Sequence, residues 1–148
     1  MGVTIDDMND DTTTLTRTID AHLAGYCEPD RERRLELLTA AWNPAGRLID
    51  PPLEGQGIDA IADLVDAVLA HYPGHRFERT TEVDEHHGYA RYGWSLTGPD
   101  GTTAITGTDI AELGDDGTLI GIVGFFGELV ALDTAAVDTP AVDQAAAR

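Results

Sequence analysis

The sequence contains no lysine, and its only fixed cations are nine arginines set against 27 Asp and Glu, giving a net charge of −18 over 148 residues. Binding a phosphate backbone needs basic side chains to displace counterions, so this balance argues against nucleic acid as a partner. Anionic membrane surfaces are disfavoured for the same reason. A single cysteine, Cys27, excludes an internal disulfide and any cysteine-based zinc cluster. No apolar run approaches the roughly 20 residues of a membrane-spanning helix. The opening residues, with Asp6, Asp7, Asp10 and Asp11, are the reverse of a basic secretory leader, and a cytoplasmic location is the resulting expectation. What is present, 42% hydrophobic and 24% charged residues, suits one globular domain with one core.

Residues 1–14 are rich in Thr and Asp without an apolar period, and 134–148 are Ala-rich and of low complexity. Both are expected to be loose: a disordered acidic N-terminus and a flexible tail around a single domain at 15–133. Within that domain Leu15, Ile19, His22, Leu23 and Tyr26 recur with the spacing of one helix face. Pro29 stops that helix and Asp30 is placed to cap the next, which Leu35, Leu38, Ala41 and Trp42 line. Arg31, Arg33 and Arg34, interleaved with Glu28, Glu32 and Glu36, are expected on its solvated face. A third helix spans about 58–72 and ends at Pro73-Gly74.

A short strand is expected at about 46–50, because a residue before proline is sterically kept out of the helical region and Asp50 precedes Pro51. After Gly74 the pattern turns to strands at 75–86, 88–98, 102–113 and 118–128, joined by Gly-rich turns too short for anything but antiparallel pairing. Gly93, Gly107, Gly121 and Gly124 inside these strands mark bends or close approaches. The fold class expected is therefore α+β: a curved antiparallel sheet packed on three helices in the order α-α-β-α-β-β-β-β.

Such a sheet encloses a hollow. Ala90, Tyr92, Trp94 and Leu96 share the apolar strand face and are placed inward, with Tyr26, Trp42, Ile122 and Phe126 as further lining candidates. Filling the core is the simpler role for aromatics of this kind. Arg91 falls on the opposite face, where it could reach an acid across a dimer interface. His71 and His75, separated by Pro73-Gly74, and the adjacent pair His86-His87 lack metal-ligand spacing, so no metal is expected.

The words A-W-N-P-A-G-R-L-I-D-P at 41–51, G-x-x-A-I at 57–61, P-G-H-R-F at 73–77, G-T-D at 107–109 and G-F-F-G-E at 124–128, in this order, resemble the nuclear transport factor 2-like superfamily. Within it the chain is most similar to SnoaL-like polyketide cyclases and ketosteroid isomerase. The resemblance implies a cone-shaped fold, a homodimer, a small hydrophobic or aromatic carbonyl ligand, and acid–base chemistry without a cofactor. It places Asp50 at the position of the proton-shuttling carboxylate, and Asp109 at that of the acid which hydrogen-bonds an enolate. Phe126 falls on a pocket aromatic, and His22 stands where the isomerase has its oxyanion-binding tyrosine.

The residues themselves bear on these roles. His22 lies on the apolar stripe of its helix and needs a buried partner, for which a carboxylate or a backbone carbonyl would serve. Asp50 would suit either a base at the cavity mouth or a turn before Pro-Pro. Asp109 sits mid-strand on a face of small and apolar residues, where a lone carboxylate is costly unless neutral or paired. Two functions stay open. One is an enzyme that abstracts a proton next to a carbonyl for isomerisation, aldol cyclisation or dehydration, with Asp50 as base and Asp109, protonated or sharing a proton with His22, on the enolate oxygen. The other is a non-catalytic module that binds a hydrophobic ligand in the same hollow.

Overall fold

The computed structural model describes residues 5–134, with side chains from Thr12 onward. Helix α1 (Ile5–Gly25) begins ten residues before Leu15, so much of the stretch expected to be loose is helical backbone. The expected flexible tail lies, from residue 135 on, outside the described residues. Helix α2 (Arg31–Ala41) starts after Asp30, which occupies the N-cap position without a side-chain capping bond. Trp42 does not line α2: it opens strand β1 (Trp42–Asp50), which turns at Pro51-Pro52 into a short β2 (Leu53–Gln56). Helix α3 (Ile58–His71) follows, burying Ile61, Ala62, Val65 and Val68 along one face.

The strand expected at 75–86 is two pieces, β3 (Arg76–Arg79) and β4 (Asp84–His86), both paired antiparallel to β5 (Tyr89–Thr97). Strands β6 (Thr103–Leu113) and β7 (Leu119–Phe126) complete an open sheet in the order β2-β1-β7-β6-β5-β3. The sheet is mixed rather than purely antiparallel, because β1 runs parallel to β7. That pairing joins the segment between α2 and α3 to the end of the meander, a parallel contact that short turns cannot make. It sets Asp50, at the end of β1, across β7 from Asp109 on β6. This is the α+β cone, with the three helices covering its concave face.

Ile19, Leu23 and Tyr26 of α1, Leu38 of α2, the buried face of α3 and Tyr92, Trp94, Leu96, Ala111 and Ile122 of the sheet form one core. Two indoles lie flat against glycines. A Cβ at Gly46 would strike the Trp42 ring and one at Gly107 the Trp94 ring, so the in-strand glycines serve close approach as well as curvature. No helix among the described residues is long and apolar enough to cross a membrane.

Arg34 does not lie on a solvated face; it is 2% exposed. Its guanidinium donates to Glu28 O at 2.8 Å, Ala62 O at 2.9 Å and Asp66 Oδ1 at 3.0 Å, tying the α1–α2 turn to α3. Periodicity could not separate it from Arg31 and Arg33, whose neighbours in sequence are equally charged. Truncation would strand buried carbonyls, so Arg34→Ala is expected to lose about 2–3 kcal/mol in urea unfolding, whereas Arg33→Ala loses under about 0.5 kcal/mol. Equal losses would show that the clamp contributes nothing.

Candidate active site

Helix α1 and strands β1 and β6 bring the predicted trio, His22, Asp50 and Asp109, together. A small inner chamber of about 10 Å³ is lined by His22, Leu23, Tyr26, Leu48, Asp50, Phe77, Trp94, Asp109 and Ile122. A larger, mostly apolar cavity of about 230 Å³ lies alongside, sharing Asp50, Phe77 and Trp94 and adding Tyr72, Leu96, Ile105 and Phe126. Phe126 is half exposed and sits at the rim rather than in the core. Tyr92 lines neither chamber; it supports Asp109 from behind. Trp42 likewise lines neither and acts through His22.

Asp109 is 5% exposed and takes two hydrogen bonds, from Tyr92 Oη to Oδ2 and from Trp94 Nε1 to Oδ1, both at 2.8 Å. The alternation of β5 puts these two donors on one face opposite Asp109 of β6, where Tyr92 is its register partner. Despite both donors, burial pushes the Asp109 carboxyl up to about 7, with the Asp50 charge adding to the rise. Burial likewise raises Asp50 to about 6, opposed by the neighbouring Tyr26 hydroxyl. The two groups interact without meeting full hydrogen-bond geometry: the Tyr26 hydroxyl and Asp50 Oδ1 are both buried and have no well-formed partner. Orphaned buried polar atoms of this kind cost about 1–3 kcal/mol each.

Gly124 of β7 separates the two acids. A Cβ there would stand 2.8 Å from Asp50 Oδ1 and 3.0 Å from Asp109 Oδ1, so the two oxygens are no further apart than the sum of those distances. Neither chamber has an arginine in its lining. Two carboxyls this close, without a cation, resist double ionisation and titrate as a pair.

The expected partnership of His22 with an acid is not what forms. His22 Nδ1 accepts from Trp42 Nε1 at 3.0 Å, which puts its proton on Nε2, and burial lowers its pKa to about 3. His22 is a neutral wall of the chamber and does not share the Asp109 proton. Arg91, exposed, pairs with Asp84 of its own chain at 2.9 Å. Phe77 was not singled out by the sequence, yet it touches both chambers; its signal was the alternation Arg76 out, Phe77 in, Glu78 out on a strand of four residues.

The fold has solved relatives. A SnoaL-like family protein of Agrobacterium tumefaciens, described as a candidate isomerase, is 34% identical over 78% of this chain and 99% of its own, with a TM-score of 0.72. The chain belongs to the SnoaL-like family, within the nuclear transport factor 2-like superfamily. A candidate SnoaL-like polyketide cyclase of a Jannaschia species (16% identity, 78% and 86% of the two chains, TM-score 0.62) shares the fold. So does a ketosteroid isomerase-like fold protein of Catenulispora acidiphila solved with trimethylamine (11% identity, 74% and 85%, TM-score 0.60). No protein-family model and no curated protein matches the sequence significantly.

Two measurements follow from the acid pair. Raised carboxyl pKa values mean that the folded state holds protons which the unfolded chain releases near 3.8. Their contribution to stability is therefore greatest below about pH 4, falls as pH rises through about 6 to 7, and is flat above. Asp109→Asn is expected to melt higher than the parent at pH 7.5 and to lose less of its melting temperature between pH 4.5 and 7.5; parallel declines would contradict the assignment. Gly124→Ala pushes a methyl between the acids and is expected to cost about 1–3 kcal/mol in chemical unfolding. A neutral outcome would mean that the acids part freely.

Proposed function

We propose that the protein is a cofactor-independent enzyme that moves a proton next to a carbonyl, in an isomerisation, aldol-type cyclisation or dehydration of a small hydrophobic substrate. The observation that carries this reading is the convergence of Asp50 and Asp109 on Gly124, at the point where a small chamber walled by His22, Tyr26 and the two acids meets a larger apolar cavity. Asp50 is the base: its Oδ1 has no well-formed partner in the protein, and a carboxylate near 6 is ionised at neutral pH yet basic enough to accept a proton. Asp109, higher and backed by Tyr92 and Trp94, keeps its proton when Asp50 is ionised and supplies a neutral donor for the developing enolate oxygen. Phe77, Trp94 and Phe126 hold a flat ligand over the pair. The isomerase and cyclase activities suggested for its relatives belong to this reaction class. We further propose a cytoplasmic homodimer joined through the outer sheet face, where Tyr89, Ile110, Val123 and Phe125 are exposed.

The bonds from Tyr92 and Trp94 to Asp109 also suit a second reading, a binding module whose acid is held for structure alone. Hydrogen exchange separates the two. Cyclic ketones and enones incubated with the protein in D2O are expected to exchange their α-hydrogens, followed by NMR, and Asp50→Asn should slow that exchange by about 10²- to 10⁴-fold. Exchange that survives in Asp50→Asn removes the base; binding without exchange favours the module.

A further inference from the structure

Three aromatic rings in the lining of the larger cavity stand nearly square to one another. Phe77 and Trp94 meet edge to face at 5.3 Å and 79° between ring planes, and Trp94 and Phe126 at 5.9 Å and 90°. The sheet register sets this up. Trp94, Gly107 and Phe126 are partners across β5, β6 and β7, and because position 107 has no side chain the two rings meet over it. Tyr72, at the end of α3, adds a half-buried fourth ring. The same lining holds one carboxylate, Asp50, and no arginine.

An aromatic face carries the negative end of the ring quadrupole, so rings at right angles with an acid beside them make a site that is both apolar and electrostatically negative. A neutral guest uses only the first property, and an anion is repelled by the second. A cation uses both and supplies the countercharge that the protein leaves out. We infer that the larger cavity is a cage for an organic ammonium group, seated against Phe77, Trp94 and Phe126 with Asp50 as its counterion. This goes beyond the proposed proton transfer and does not depend on it.

The lining narrows the class further. A primary ammonium brings three N–H donors, each needing an acceptor. Apart from Asp50 the side-chain polar groups of the lining are few: the Trp94 indole N–H is committed to Asp109, His71 is exposed with its Nδ1 2.9 Å from Ala67 O, and Tyr72 is half-buried. Unpaired N–H groups are costly when buried, whereas N-methyl groups need no acceptor and pack on ring faces. The guest is therefore a tertiary or quaternary ammonium. A volume of about 230 Å³ exceeds by about half the roughly 150 Å³ that takes up a benzene ring, which fits a trimethylammonium head with a short arm. A net charge of −18 draws such cations toward the protein.

NMR titration at pH 7.5, where Asp50 is ionised, tests the cage with choline, its neutral carbon isostere 3,3-dimethylbutan-1-ol, and ethanolamine, which has the charge without the methyl groups. Choline is expected to bind at least about tenfold more tightly than either, and to move the indole N–H signal of Trp94 but not that of Trp42, which is bonded to His22 outside the cavity. Phe126→Leu removes a ring face at the half-exposed rim, and Asp50→Asn removes the charge at constant size. Each should weaken choline by about tenfold and leave dimethylbutanol unchanged, which reports an intact cavity. Dimethylbutanol binding as tightly as choline would reduce the site to a greasy hollow, and ethanolamine matching choline would reduce the attraction to the acidity of the chain. Choline that fails to bind, or that binds both variants like the native protein, equally overturns the cage. None of these results bears on proton transfer, which is read separately by exchange of α-hydrogens.

Discussion

Two carboxyl groups share one hollow with no arginine in its lining to balance them, and much of the surrounding architecture answers that cost. Charge of this kind is tolerated in a low-dielectric interior only when it is neutralised or hydrogen-bonded. Here the protein supplies neutral donors instead of a countercharge: Tyr92 and Trp94 both donate to Asp109, and burial leaves the pair holding protons well above the usual carboxylate range. The closeness that makes the pair costly depends on one residue without a side chain, Gly124, between them. The parallel β1–β7 contact then delivers Asp50 from a distant part of the chain. A fold optimised for stability alone would place an amide rather than an acid at 109.

How this was written into the sequence is uneven. The three helices and the inward face of β5 were legible because their periods are strong: Ile61, Val65 and Val68 on α3, and Ala90, Tyr92, Trp94 and Leu96 on β5, are all buried as the spacing requires. Asp109 stood out because an acid amid small apolar residues has no comfortable structural explanation. Long-range pairings left weaker traces. Neither the parallel partner of β1 nor the break between β3 and β4 follows from alternation, because each depends on which distant strand offers its edge.

The errors share a cause. Arg34 was indistinguishable from its exposed neighbours because its partners are backbone carbonyls of Glu28 and Ala62, groups that every residue carries. His22 was paired with the wrong group because Trp42 Nε1, a single donor at the start of a strand, satisfies its Nδ1 and leaves the imidazole neutral. Family resemblance singles out Asp50 and Asp109 as candidates and marks His22 as the departure from the isomerase pattern. The Tyr26 hydroxyl one turn further along α1 became visible only once the side chains were in place.

The proposed chemistry depends on the protonation of the acid pair. Carbon-13 NMR of protein labelled at the aspartate carboxyl carbon, titrated from pH 3 to pH 9, reads it directly. Two resonances, lost respectively in Asp50→Asn and Asp109→Asn, are predicted to titrate near 6 and near 7, each shifting when the other acid is replaced. Two carboxyls that both titrate near 4, each indifferent to the other's removal, would contradict it.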